Sequence, residues 1–587
     1  MAASTGLEGN HTSDTLEYFD EQMKKAREDL QELAYQRNLR VPICCLPVEI
    51  LGRILILTST RTGLVWRDIL FPKVMHVCRL WRTIAMNTPS IWSQPDFCRP
   101  KLALEMIKYG KSAPLDITWG FSSEDSRRQE HLDVLSEALL QVSRISSLVL
   151  SCTPSEFTRL VPRMVSPLPS VHSLRLECKD DQSFVVLPEK LLGSDAPHLI
   201  HFRAHGCGIP WGSPILGNLT TLSITRFAMP GLVAPSAGEM AAALQAMTGL
   251  EELEMLDFFP SHSSIAVAQN AKQVILPRLK SIKLSSSGRA IAVLLRSISF
   301  PIATKVDLDI PEPDDAQDLL AECISSLFSE TSMAHRRTVR SLSISDGGTG
   351  NIFRLLTWNT CGQGPLDPPQ FRCRIGRVYV AEPFSLTRKF LDSLGPITSL
   401  ETLDISTYSL SRDTILQRFG NLPLLGSIHV RIHTRCALDV VYFLSDRLTP
   451  SSAALANEAG QWQPPNTPKS KVAEGEQSTS VFPALTTLNL SDMTFNSNLL
   501  PALVSSLERR SENGHPLKTL VLEHCRHIYS HNIKAILDRV DIDIQRYPDE
   551  THYDDDSSDD SEAEPSHRCG GGCHGEDFYD SSDSDDW

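Results

Sequence analysis

Residues 400–406 read Leu400-Glu-Thr-Leu403-Asp-Ile405-Ser406, an apolar-x-x-apolar-x-apolar run with polar residues in the gaps. A strand turns successive side chains to opposite faces. Leu403 and Ile405 therefore point one way and Thr402, Asp404 and Ser406 the other, which predicts a strand with one buried and one wet face. The run recurs along the chain. Before it stand Ile145-Leu148-Leu150, Val171-Leu174-Leu176, Leu199-Phe202-Ala204, Leu219-Leu222-Ile224, Leu250-Leu253-Met255, Leu279-Ile282-Leu284, Val339-Leu342-Ile344 and Ile375-Val378-Val380. After it stand Leu425-Ile428-Val430, Leu485-Leu488-Leu490 and Leu517-Leu520-Leu522, and a degenerate copy lies at Ala303-Val306-Leu308. Helical stripes fall between copies, as Phe157, Leu160, Val161 and Met164, and as Leu500, Leu503, Val504 and Leu507. One strand with one helix cannot bury its apolar face alone, so such units stack side by side.

The pattern resembles the leucine-rich repeat, L-x-x-L-x-L-x-x-N/C-x-L, with spacings often wider than the roughly 20–29 residues of standard repeats. Cys207 and Cys525 occupy the ninth position of their copies. A small polar group there can bond to backbone where the strand turns away. The resemblance implies an irregular, curved solenoid with parallel strands over residues 96–545, holding a target protein on its concave strand positions. The most informative of those are Arg175, Glu177, Glu252, Glu254, Lys283, Arg377, Tyr379 and Asp404. The remaining outward positions are mostly Ser and Thr, with few of the aromatic or arginine anchors that dominate binding energy. Residues 446–480 break the pattern with Pro450, Pro464, Pro465 and Pro468, and with few large apolar residues beyond Trp462. They are expected to form a disordered insertion between repeats.

The N-terminal part is different. Residues 14–37 place Leu16, Phe19, Met23, Ala26, Leu30 and Leu33 at alternating steps of three and four. The expectation is an amphipathic helix within residues 1–40 that packs on its own chain. Residues 41–95 form a second unit. Leu46-Pro47 opens a helix, since proline suits the first helical position, and Glu49 complements that end of the helix. Ile50, Leu51, Ile54 and Leu55 make a stripe, which Ile56 and Leu57 widen around most of the circumference. A helix that apolar needs cover on more than one side. A second helix follows around Val74, Val77, Cys78, Trp81 and Ile84, and Pro89-Ser90-Ile91-Trp92 closes the unit. About fifty residues rarely stabilise themselves well alone, and the excess apolar surface predicts a partner.

Three sub-motifs of this unit stand in a familiar order: Leu46-Pro47-Val48-Glu49-Ile50, Val77-Cys78-Arg79-Leu80-Trp81 and Pro89-Ser90-Ile91-Trp92. The run resembles an F-box, of the F-box-like type abundant in fungi. The resemblance implies a three-helix, all-α F-box ahead of the repeats. It also implies an adaptor role in an SCF-like, cullin-type ubiquitin ligase, in which the F-box docks a Skp-type adaptor and the repeats hold a target for ubiquitination. The adaptor-binding face would be Leu46, Pro47, Ile50, Leu51, Val77, Cys78 and Trp81. The alternative reading is a leucine-rich-repeat interaction scaffold with no ligase link, whose N-terminal unit only caps the array.

Composition sets the remaining bounds. The chain has 587 residues, 41% of them hydrophobic, and a formal net charge of -15. Asp549–Trp587 holds 15 acidic residues against the single Arg568, so the body is close to neutral. A basic nucleic-acid-binding body is excluded by that balance. The tail, residues 546–587, reads as a solvated disordered segment. Its Ser557, Ser561 and Ser582 each precede an acidic residue by three, the pattern of an acidophilic kinase substrate. No secretory signal is visible at Met1–Asn10, and no apolar run is long enough to span a membrane. The 14 cysteines read as reduced thiols of an intracellular protein, cytoplasmic or nuclear. No motif supports an enzyme: G-x-x-x-x-G-K-[ST], H-E-x-x-H and G-x-S-x-G are all absent. Neither a cofactor nor a metal is expected. His567, Cys569, Cys573 and His574 sit in low-complexity sequence without a framing loop. His524, His527 and His531 would face one metal only if they were helical.

Overall fold

The computed structural model describes residues 10–59, 75–120, 128–180, 184–225, 237–257, 273–312, 317–328, 337–346, 352–360, 367–376, 383–432, 434–445, 447–448, 479–495 and 497–547. Within them the chain is mixed α/β, with 14 helices and one long, mostly parallel sheet. Among the described residues no helix is long and apolar enough to cross a membrane.

The sheet has 16 strands. The first eight lie in chain order, each parallel to the last: β1 (Leu115–Trp119), β2 (Ile145–Cys152), β3 (Ser173–Cys178), β4 (His201–His205), β5 (Thr221–Thr225), β6 (Glu252–Leu256), β7 (Ser281–Ser285) and β8 (Lys305–Ile310). The last five, also parallel and in order, are β12 (Thr402–Ser406), β13 (Ser427–Arg431), β14 (Thr487–Ser491), β15 (Thr519–Glu523) and β16 (Asp543–Tyr547). Every apolar-x-x-apolar-x-apolar copy except that at Ile375 coincides with a strand, and its fourth and sixth residues are buried. In β7, Ile282 and Leu284 are buried while Lys283 between them is exposed, so the period-2 pattern decides which face meets the core.

Between these runs the order reverses. β9 (Ser341–Ser345), β10 (Phe353–Trp358) and β11 (Phe371–Ile375) are seated so that β11 lies beside β8 and β9 beside β12. β10 runs antiparallel to both its neighbours. The repeat expected at Ile375-Val378-Val380 is corrected accordingly. The strand is Phe371–Ile375, with Phe371, Cys373 and Ile375 buried, and Val378 and Val380 lie outside the described residues. A parallel-repeat template has no place for an antiparallel insertion, so β10 escaped it. The helices between strands do not reverse. Gly288–Ser297, Gln317–Phe328 and Pro383–Ser393 pack side by side in chain order.

The expected helical stripes bury where the period requires. Phe157, Leu160 and Met164 are buried on a helix and its following turn, and Leu503, Val504 and Leu507 on Leu499–Glu512, whereas Val161 and Leu500 of the same stripes are half-buried. The insertion leaves and returns through a short antiparallel pair, Arg447–Leu448 with Thr479–Ser480, and residues 449–478 lie outside the described residues. Its return is pinned by Arg510. That side chain is fully buried and donates to the carbonyls of Val481 (2.9 Å), Phe482 (2.6 Å) and Leu485 (3.4 Å). At the far end β16 extends to Tyr547, two residues into the expected tail, and the residues from 548 onward lie outside the described ones.

Candidate interaction surfaces

The N-terminal unit contains α1 (Asn10–Asn38), α2 (Val48–Ser59) and α3 (Arg79–Asn87), followed by the turn Pro89–Trp92. Pro47 stands just before α2, and its carbonyl accepts the Leu51 N–H at 3.0 Å. That position suits a residue with no N–H of its own. Leu51, Leu55, Ile84, Ala85, Ile91 and Trp92 form a small core that also takes in Met106 of α4 (Pro100–Tyr109). The Trp92 indole N–H donates to the Ala85 carbonyl at 2.8 Å, and its ring lies 5.1 Å from that of Tyr109. The unit covers the outer edge of the sheet. The Asp116 N–H of β1 donates to the Ser93 carbonyl at 2.8 Å.

Among the described residues only one side of α2 is covered. At 3.6 residues per turn, Leu51 and Leu55 lie about 40° apart, and Ile50 and Leu57 about 20° apart on a different face. Leu51 and Leu55 are fully buried, whereas Ile50 is 48% and Leu57 69% exposed. Leu46, Pro47 and Val77 are exposed with them, and Cys78 and Trp81 are half-buried. The Trp81 indole stands beside the Cys44 thiol. Partial burial and the neighbouring Cys78 push the Cys44 thiol upward. Of the seven expected adaptor-binding residues, Leu51 is corrected. It belongs to the core, because its angular position on α2 is that of Leu55. Sequence reasoning missed Ile43, Val48 and Leu57, all exposed. The Leu57 signal was available, seven residues from Ile50 and so on the same helical face.

The second surface is the polar face of the sheet. The middle outward positions run Val149, Arg175, Arg203, Ser223, Glu254, Lys283, Asp307, Arg372 across seven strand pairings. Opposite charges meet between strands and stabilise cross-strand neighbours. Lys283 reaches Glu254 at 2.9 Å, Arg372 reaches Asp307 at 3.4 Å and Arg374 reaches Asp309 at 2.9 Å. Burial raises the Glu254 carboxyl, but bonds from Lys283 and Ser223 outweigh it and hold the group below its ordinary value. A cavity of about 340 Å³ opens over β3 to β6, lined by Arg175, Glu177, Arg203, His205, Ser223, Thr225 and Glu254 with the backbone between. Arg175 bridges Glu177 at 3.4 Å, and the His205 ring Nδ1 meets the Thr225 hydroxyl at 2.5 Å.

The expected target-binding residues divide. Arg175, Glu177 and Glu254 line this cavity, and Lys283 and Glu252 sit on the same face in the next registers. Asp404 is corrected to a covered position, 5% exposed, between Ser343 and His429 of the neighbouring strands. Burial raises its carboxyl against the opposing pull of Arg431, 3.5 Å away, and Ser343. Arg377 and Tyr379 lie outside the described residues, and in that repeat Arg372 and Arg374 occupy the outward positions instead. Arg203 and His205 were missed, although they stand at the fifth and seventh positions of a copy the pattern contains.

The ninth-position cysteines behave as expected. The Cys207 thiol donates to the His205 carbonyl at 3.3 Å and the Cys525 thiol to the Leu490 carbonyl at 3.1 Å. Burial pushes them up to about 12 and about 11. His524 and His527 are in left-handed backbone before the helix Ser530–Leu537, so the three histidines share no helical face. Among the described residues no cluster of His, Cys, Asp or Glu is placed to hold a metal ion. His567, Cys569, Cys573 and His574 lie outside them. Neither a protein-family model nor a curated protein matches the chain.

Proposed function

We propose that the chain is the substrate-recognition subunit of a cullin-type ubiquitin ligase. In this reading residues 41–95 are an F-box that docks a Skp-type adaptor, and an uneven leucine-rich-repeat solenoid holds the target on the polar face of its sheet. The supporting observation is α2, apolar on both sides and covered on one. Ile50 and Leu57 leave an apolar strip in water, and Leu46, Pro47 and Val77 are exposed as well; exposed apolar patches mark interaction sites. The target would meet β3 to β8, where the charged rows and the cavity over β3 to β6 lie. The chain itself supplies no reacting group, and ubiquitin transfer belongs to its intracellular partners. No nucleic acid or membrane takes part.

The scaffold reading has its own support. The unit caps the sheet edge through Ser93 and shares Met106 with α4. Capping uses the covered side of the unit, so it leaves the exposed strip free to dock. Co-purification of the full chain with a Skp-type adaptor, beside Ile50→Asp and Val77→Asp, tests the proposal. Stoichiometric binding lost in both folded variants supports it. An intact, folded chain that ignores the adaptor sinks it and leaves a capped scaffold.

A further inference from the structure

The long helix α1 is expected to pack its stripe on its own chain, and among the described residues it does not. Leu16, Phe19, Met23, Leu30 and Leu33 are 66%, 60%, 52%, 68% and 68% exposed. Among the described residues, contacts between α1 and the body are made by Arg79 and lie elsewhere on its circumference. Arg79 donates to Glu32 at 3.2 Å and to Gln31 at 3.3 Å, and sits 5.7 Å over the Tyr35 ring. In a heptad that counts Leu16, Met23 and Leu30 as a and Phe19, Ala26 and Leu33 as d, these three contacts fall at b, c and f. The body therefore grips the back of the helix and leaves the a/d seam open, the arrangement a coiled-coil partner requires.

We propose that the occupant of this seam is the same seam of a second copy of the chain, paired antiparallel. Centring the pair between Lys24 and Lys25 sets Leu16 against the second copy's Leu33, Phe19 against its Leu30 and Met23 against its Ala26. Each layer occurs twice by two-fold symmetry. The small Ala26 meets the long Met23, which keeps the core filled. A parallel pair would stack Ala26 on Ala26 and leave a void. Charge points the same way. Asp20 and Arg27 are the charged e positions, and antiparallel pairing brings each Asp20 beside the second copy's Arg27, twice per dimer. Parallel pairing sets Asp20 opposite Thr15 and Arg27 opposite Gln22, with no opposite charges. Steric room agrees as well. The seam's centre lies about 20 Å along the axis from the C-terminal end of α1, at 1.5 Å per residue. An antiparallel pair then sends the two bodies off in opposite directions, about 40 Å apart. The face used by α2 and Val77 takes no part, so this inference stands apart from the adaptor proposal.

Sedimentation equilibrium of the full chain over about 1–100 µM, a range that brackets micromolar association, is the test. A dimer is expected. Leu30→Asp should yield a monomer whose body melts as before, because Leu30 is 68% exposed and stands outside the core of the N-terminal unit. Asp20→Arg and Arg27→Asp each set like charges together twice and should weaken the dimer roughly tenfold. Combined in one chain they exchange the signs and should restore it to within about threefold. A chain that stays monomeric throughout overturns the proposal and leaves a helix of another protein as the occupant. A dimer that survives Leu30→Asp overturns it too, and a double swap no better than the single ones refutes the antiparallel pairing.

Discussion

Ile50 and Leu51 are adjacent leucine-sized residues with opposite assignments, and replacing each with alanine separates docking from folding. Leu51 is fully buried against Leu55, Ile84 and Trp92. Leu51→Ala leaves a cavity in a small core and should cost about 2–5 kcal/mol of stability. Ile50 is 48% exposed. Complete burial of such a side chain is worth about 1.5–3 kcal/mol, so roughly half of that remains to be gained on docking. Ile50→Ala should therefore weaken adaptor binding by about 0.7–1.5 kcal/mol, which is roughly 3- to 12-fold in Kd at 1.4 kcal/mol per decade. Its effect on the unfolding midpoint should be small beside that of Leu51→Ala. Titration calorimetry with a Skp-type adaptor and urea denaturation of the same two variants measure both quantities. Equal binding by Ile50→Ala and wild type, with stability preserved, would refute the assignment of the uncovered strip of α2 to the adaptor.

Three further outcomes follow from particular side chains. Arg510→Leu removes the donor to three buried carbonyls and should cost about 3–5 kcal/mol locally. Faster amide exchange at Val481–Leu485 is expected, with β14 and β15 less affected, and uniform exchange across both regions would contradict it. Arg510→Lys should fall between, because an ammonium lacks the guanidinium fork. Glu156 is 4% exposed, bonded by Arg128 and by the Thr153 N–H, and completes the capping box that Thr153 heads. Burial raises its carboxyl, but the bonds from Arg128 and Thr153 outweigh this and hold it below the ordinary 4.5. Its contribution is thus fully present above that value and is lost as pH falls through the lower folded value. Glu156→Gln should lower stability at pH 7 and flatten the acid limb of the stability profile, and an unchanged limb would show that the pair carries no such linkage. On the sheet, Arg203→Glu should leave the melting temperature nearly unchanged, since the side chain is exposed. It should abolish recovery of any partner that binds over β3 to β6, and retention of that partner would move the target site away from the cavity.

The parts of the fold legible in the sequence are those where one physical rule acts alone. Leu403 and Ile405 alternate with Thr402 and Asp404, nothing competes with that period, and β12 lies where the alternation requires. The degenerate Ala303 copy, weak as a motif, still forms β8 because Val306 and Leu308 keep the period. Where two rules compete, the reading fails. At residues 371–380 a parallel-repeat template and a plain alternation both fit. The alternation of Phe371, Cys373 and Ile375 prevails because it pairs with β8 on one side and with antiparallel β10 on the other. Asp404 shows a second limit. Its outward direction was readable from sequence, but its covering was not, because burial of a polar residue on the wet face depends on the side chains of adjacent strands. The same limit governs the N-terminal unit. Composition tells that α2 carries more apolar surface than one neighbour can cover, and helical phase alone then divides Leu51 and Leu55 from Ile50 and Leu57. Which of these two faces turns inward is fixed by where α3 and Trp92 arrive, a tertiary fact with no local signature. For α1 the stripe was legible and its destination was not. A helix whose apolar face could meet its own body or another molecule has the same sequence in either case. Only the position of Arg79, gripping Gln31, Glu32 and Tyr35 on the back of the helix, decides against the body.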